Sequence, residues 1–594
     1  MVTNCQRRLA ARMERRKMHL PYLQPGKEAL ETRDLFLGLN HNLRPGPGQF
    51  YDMQNMSSDL SPVLSVRRQR GVLKTKAPVQ ALACRDSLCW VEDGCLLLNG
   101  QKTDLPLSRE PGDNPKKLVS MGAYLIVLPD KKYINTVNPT DCGSMEAEVT
   151  TSGPVSLSQC LLDGTEISPE YQGPAEPQDP RDQSYWLDYD SKSLKQYEKS
   201  RDLWVVVDTP YVKLQYPGIG RGFSAYDGVE ISGDPELEDL KGAAILYGCD
   251  ENEIISPGLL KGKKTLASPV TVLRSVPLMD FCIESGNRLW GCRYGQNRTG
   301  AIVNEIYCSK LGDFKNWSCY LGISTDSYTV SLGSDGPFTG AVSHGGYPVF
   351  FKENCLHKIY GQMPSNFSVQ TTPCRGVCPG CSESLAIVDE ILYYKSRTGV
   401  CCYDGSLPRE ISQDLGPEPY GLAAAGGIHG KYYISMEKQG KYSLFVYDTI
   451  KNQWHREDSL QARFFCTCRE DLYCVDEKGR LLSLLGTAGE KEDPAIPWML
   501  EPGIIGVRLP GHKYLSRILL RMVLDPGSRV TVSVQYDSAR PWESLGTVQG
   551  MNLRSFLYPV LPRRCDHLRL RLEGRGRAMI FSAARVLKPG SMKP

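Results

Sequence analysis

The sequence predicts an all-β protein: a β-propeller of about seven blades with an inserted small β-barrel and a C-terminal β-sandwich. Three observations predict it. Short apolar runs separated by Gly, Asn and Asp turns recur along most of the chain, as in up-and-down antiparallel strands. Those runs come in groups that repeat one after another, and a single group cannot bury both faces unless neighbours stack on it. Near residue 498 the rhythm changes to longer strands with strict inside-outside alternation, the period of a sandwich.

The clearest pair of units lies between Ser275 and Gln362. The first contains Phe281-Cys282-Ile283, a turn at Ser285-Gly286-Asn287, Leu289-Trp290-Gly291-Cys292 and Ile302 to Ser309. The second contains Phe338 to Val342, a turn at His344-Gly345-Gly346, Tyr347 to Lys352 and Cys355 to Gly361. Further groups run from Val79 to Gly100, Lys117 to Asn135, Ser384 to Gly405, Gly421 to Trp454 and Arg463 to Leu484.

Between about Thr140 and Val270 the pattern breaks. Pro, Asp, Gln and Ser dominate as far as Ser200, and the runs Leu203 to Asp208, Tyr211 to Tyr216, Asp227 to Ser232 and Ala243 to Tyr247 fit a small barrel. A long insertion at a loop tip costs little closure entropy, so it is compatible with a ring. The expected division is a tail at 1–31, an extended arm at 32–77, blades at 78–139, the insertion at 140–270, further blades at 271–496 and the sandwich at 497–594. Within the tail, Cys5 to Lys17 has the composition of a short basic helix for an acidic partner or nucleic acid, though a frayed end is preferred. Met18 offers an alternative start.

Composition narrows function. Seventy basic and 67 acidic residues leave a net charge of +3, which gives no broad attraction to nucleic acid or anionic lipid. No apolar run approaches the length of a membrane span and no apolar region follows the basic N-terminus, so the expectation is synthesis in the cytoplasm. The 21 cysteines are scattered through strand-like segments and read as small buried apolar residues in a reducing compartment.

No catalytic constellation emerges: there is no Walker loop, no G-x-S-x-G and no H-E-x-x-H, and the eight histidines are dispersed. Ser309 to Trp317 shares an Asp and a Trp with the Asp-box turn of sialidases but lacks its Ser-x-Asp-x-Gly order. Cys374, Cys378 and Cys381, with Cys401-Cys402 downstream, are spaced for a structural zinc, yet a paired second half is missing. The expectation is therefore no catalytic, cofactor or metal residues, no cofactor, and no enzyme.

Four stretches carry a family resemblance: Gly38-Leu39-Asn40 with Asp52-Met53-Gln54-Asn55 and Arg67 to Gly71; Asn287 to Gly291 with Ile306 to Ser309; Ser334 to Gly340 with Val349 to Lys352 and Leu356 to Gly361; and Leu561 to Leu570. With these the chain resembles tail nozzle and stabilisation proteins of short-tailed bacteriophages, and structural tail proteins of prophages in gut Firmicutes. The resemblance implies a non-enzymatic virion subunit: a propeller in a cyclic oligomer around the DNA exit channel, beside adjacent tail, portal or adaptor proteins, with DNA passing without sequence specificity. It places the protein in the virion tail after synthesis in the bacterial cytoplasm, with Thr32–Gly71 and Trp498–Lys588 gripping neighbours. The alternative is a carbohydrate-binding or carbohydrate-active propeller at the host cell surface, and a cellular scaffold is a third reading.

Overall fold

The computed structural model describes residues 29–109, 115–234, 237, 240–267, 269–507, 511–538 and 540–589. The basic stretch Cys5 to Lys17 and Met18 lie outside them. The chain is all-β and β-propeller-like: strands take 52% of it and helix 2%, the latter only as single 3-10 turns such as Ser382–Ser384. Among the described residues no helix is long and apolar enough to cross a membrane.

Seven sheets share one up-and-down strand order. Their first strands are Val79–Arg85, Lys117–Met121, Phe281–Glu284, Phe338–His344, Ala386–Val388, Ala423–Ile428 and Ala462–Cys468. Each turns back on itself because the residues between its first and second strands accept a left-handed backbone: Asp86 at φ 56°, Asn287 at 57°, Asp389 at 48° and Arg469 at 55°. These first turns touch across sheets. Arg85 donates to the Gly122 carbonyl (2.7 Å), Ser285 to that of Gly346 (3.3 Å), His344 to that of Glu390 (2.8 Å) and Thr467 to that of Gly427 (2.6 Å). Arg469, in the seventh sheet, donates to the Asp86 carbonyl of the first (3.3 Å), and the first strands of these two sheets lie against each other.

The seventh sheet is completed by a strand from the other end of the chain. Gly71–Val72 pairs with Leu481–Ser483 on one side and Glu490–Lys491 on the other. Glycine is required at the first of these positions, since a Cβ on Gly71 would stand 1.8 Å from the Ala488 carbonyl oxygen.

Between adjacent sheets the apolar faces form separate clusters. Trp290 and Trp317 are 2% and 3% exposed; the Trp290 indole donates to the Ser285 carbonyl and that of Trp317 to the Phe314 carbonyl. Trp290 packs with Cys292, Ile306, Phe338 and Phe350, so it joins the third and fourth sheets, and Phe367 meets its ring edge-on at 5.1 Å.

The segment between the second and third sheets contains two sheets on one apolar core. Ala147–Thr150, Thr271–Arg274, Gly228–Ser232 and Gly242–Ile245 form one; Val155–Cys160, Tyr211–Gln215 and Glu253–Pro257 are the middle of the other. Leu157, Leu214, Ile231, Ile254 and Val272 fill the space between them. Leu203–Asp208 belongs to a third, four-stranded sheet with Tyr171–Gly173, Tyr185–Asp188 and Ser193–Glu198. There the rings of Tyr171, Trp186 and Tyr197 surround Trp204.

The ends of the chain build one nine-stranded sheet. Ala29–Arg33 pairs with Ala578–Pro589, Phe50–Gln54 with Pro497–Pro502, and Leu64–Val66 with Ala578–Pro589. The expected arm is thus built into the chain's own C-terminal sheet. Its apolar residues Phe36, Leu39, Phe50 and Met53 share a core with Trp454 of the sixth sheet and Trp498 of the C-terminal one. Lys513–Tyr536 alternates buried and open positions over most of its 24 residues, as the sequence period predicts for a sheet with one dry face.

Candidate functional site

A cavity of about 290 Å³ opens where the fifth sheet, the sixth sheet and the N-terminal arm meet. The fifth sheet supplies most of it, from the turn after Ile391–Lys395 and from the segment following Arg409–Glu410. In an up-and-down sheet these lie at the end opposite the first turns. The 3-10 turn Gln413–Leu415 ends at Gly416, whose φ of 89° swings the chain toward Pro417 and Tyr420. Met436 comes from the sixth sheet and Asn42 from the arm.

Hydrogen bonds fix the lining. Asn42 donates to the Gln413 carbonyl (3.0 Å) and to the Asn40 side chain (2.8 Å), and the backbone N–H of His41 donates to the Asp414 carbonyl (2.7 Å). Ser412 donates to the Glu410 carboxylate (3.2 Å) while its oxygen accepts from the Val400 N–H (3.0 Å). Arg375 pairs with the other oxygen of Glu410, and Lys438 pairs with Glu418. Tyr420 stands edge-on to Phe445 at 5.4 Å, and burial pushes its phenol up to about 12. The lining thus combines an aromatic ring, two carboxylates, side-chain amides and hydroxyls.

Lys395, on the wall, is completely buried. Its ammonium donates to the Ser396 carbonyl (2.5 Å), and burial holds its pKa below the usual lysine range against the pull of Cys378, Cys381 and Cys401. This places the sequence's cysteine cluster behind the cavity. Cys378 donates its N–H to the Lys395 carbonyl (2.9 Å), and Cys381 donates its own to the Cys378 carbonyl (2.9 Å). Burial raises the thiols of Cys374 and Cys381, to about 12 and about 11. Among the described residues no group of three or more His, Cys, Asp or Glu side chains is arranged to hold a metal ion.

The turn that partly matches an Asp box is structural in its contacts. Asp313 caps it by accepting from the Lys315 N–H (3.0 Å), and the Asn316 side chain points into the inserted module. Sequence reasoning missed the cavity because turns of the fifth sheet, Met436 of the sixth and Asn42 of the arm meet only in the fold. Only Gly416-Pro417-Glu418-Pro419-Tyr420, a turn ending on an aromatic residue, marks it locally.

No family model matches the sequence, and no curated protein matches it. Solved structures do. An exo-β-1,3-galactanase from Phanerochaete chrysosporium is similar at 9% identity over 51% of this chain and 94% of its own, with a TM-score of 0.22. The phage phi92 endosialidase is similar at 8% identity over 79% and 70%, with a TM-score of 0.22. PorZ, a surface component of the type-IX secretion system of Porphyromonas gingivalis, is similar at 10% identity over 85% and 82%, again with a TM-score of 0.22. With a galactanase and an endosialidase in this set, the sequence-based expectation that the chain is no enzyme is corrected and withdrawn.

Proposed function

We propose that the chain is a seven-bladed β-propeller with a barrel-like insertion after its second blade, and that it recognises carbohydrate at a cell surface. The observation that carries this reading is the cavity beside Tyr420. At about 290 Å³ it is at the small end of ligand pockets, which run ~300–1,000 Å³, and so suits one sugar unit rather than a length of chain. Its lining matches the chemistry of a sugar, which offers an apolar ring face and several hydroxyls that both donate and accept. Tyr420 supplies the flat apolar surface; Glu410, Glu418, Asn42 and Gln413 supply acceptors and donors. Glu410 and Glu418 are also the carboxylates whose removal would test turnover. The experiment is a glycan array read for binding and for hydrolysis products. Binding that Tyr420→Ala abolishes supports the reading, and an array without binding overturns it.

A second reading, the ring-forming subunit of a phage tail, is favoured by one feature. Among the described residues Glu543–Pro559 pairs with Lys513–Tyr536 alone, which leaves one side of a long strand open with Leu553 and Leu557 54% and 58% exposed. Such an edge invites a neighbouring subunit. Particle labelling separates the two readings: a cyclic array of this protein in virions supports the second, and absence from virions removes it.

A further inference from the structure

The junction between the seventh and first sheets holds a pair of thiols. Cys84 lies one residue before the end of Val79–Arg85, and Cys468 ends Ala462–Cys468, so both sit on inner strands beside the first turns. Their sulfurs are 2.7 Å apart although 384 positions separate them in sequence. The strands that carry them lie against each other, and the neighbouring Arg469 to Asp86 hydrogen bond fixes the same junction. Cys89 and Cys466 are near enough to interact electrostatically with the pair.

We propose that Cys84 and Cys468 form a disulfide that locks the first sheet to the last and closes the ring covalently. The place is mechanically distinctive. The other inner-strand junctions join sheets that follow one another in the series, one of them across the inserted segment, whereas this one joins the beginning and end of the series. A bond there restricts the unfolded chain over nearly the whole set of sheets. The junction is otherwise held non-covalently, by Gly71–Val72 in the seventh sheet, by the Arg469 to Asp86 hydrogen bond and by packing of the two first strands.

The oxidant is a low-molecular-weight disulfide. The Cys84 thiolate attacks one of its sulfurs and expels a small thiolate; the Cys468 thiolate then attacks the Cys84 sulfur of the mixed disulfide and expels the second. The protein loses two protons and two electrons, and the reagent leaves as two thiols. Burial, and then the hydrogen bond with Cys468, push the Cys84 thiol up to about 12, so exchange is slow at neutral pH and accelerates as pH rises.

The full chain is incubated with oxidised glutathione, alkylated, and digested without reduction. The expected product is one peptide joining Cys84 to Cys468, two hydrogens lighter than its parts. The oxidised chain should melt at a higher temperature than the reduced one, with no difference in Cys468→Ser and an undiminished difference in Cys466→Ser. Alkylation of both Cys84 and Cys468 after oxidation, or linkage of Cys84 to Cys89 or Cys466 instead, overturns the proposal. A Cys84–Cys468 bond that leaves the melting temperature unchanged overturns its role as a clamp. The mapping needs no variant, so a variant that fails to fold does not blunt it.

Discussion

Arg70 and Glu457, 387 positions apart in sequence, meet with a guanidinium nitrogen 2.7 Å from a carboxylate oxygen, both almost wholly buried. Arg70 precedes the strand that completes the seventh sheet, and Glu457 follows the last strand of the sixth. Asp458 accepts from Arg70 (2.8 Å) and pairs with Arg67 (3.3 Å), whose Nε donates to Asn55 (2.7 Å). The network pins the N-terminal arm beside the strand that closes the series.

Removing one partner strands the others in a dry site. Arg70→Ala should cost about 3–5 kcal/mol in denaturant unfolding, the range for breaking a buried ion pair from one side. The double variant Arg70→Met, Glu457→Leu should lose less than Arg70→Ala, since two charges leave together. A loss below about 1 kcal/mol for Arg70→Ala, the scale of a surface pair, would count against this arrangement.

Stability should fall on mild acidification. His357 and His455 are buried, and burial, reinforced by Lys352 and Lys431 respectively, lowers each imidazole from 6.5 to about 4. In the fold they stay neutral, while the unfolded chain takes up their protons near 6.5. Their contribution is therefore complete above about pH 6.5, declines between 6.5 and 4, and is constant below. Each accounts for on the order of 3 kcal/mol across that window. His455→Gln should remove about half of the slope attributable to the pair; an unchanged profile would show that His455 is not held neutral.

Asn316 fastens the inserted module to the third sheet. Its amide donates to the Tyr226 carbonyl (2.8 Å) and accepts from the Gly228 N–H (3.1 Å), and the residue is fully buried. Asn316→Ala leaves both backbone groups without these partners, at about 1–3 kcal/mol each. Hydrogen exchange should rise at Tyr226 to Ser232 while Phe338 to Phe351 stays protected. Equal loosening of both regions would mean that Asn316 supports the ring itself.

What the sequence disclosed was local. Residues such as Asn287 and Asp389 between alternating apolar runs announce hairpins, because their turns need a left-handed backbone and the runs need a dry face. Pairings across the chain were not legible. Nothing in Phe50–Gln54 specifies Pro497–Pro502 as its partner, and an apolar alternation fits any open edge of matching face. Leu203–Asp208 reads like its barrel neighbours but joins a separate sheet, where Trp204 gathers three other aromatic rings. The cavity was hidden for the same reason, since Asn42 and Met436 are unremarkable until the fold brings them together.

The most direct test of carbohydrate recognition is calorimetric titration of the full chain with the glycans that score on an array, in parallel with Tyr420→Ala and Glu410→Gln. The account predicts saturable binding of one sugar-terminated ligand per chain, lost or weakened at least tenfold in both variants while their unfolding stays cooperative. Tenfold corresponds to about 1.4 kcal/mol, just under the ~1.5–3 kcal/mol of one hydrogen bond to a charged group. Binding that both variants retain at full strength would contradict the assignment to this cavity.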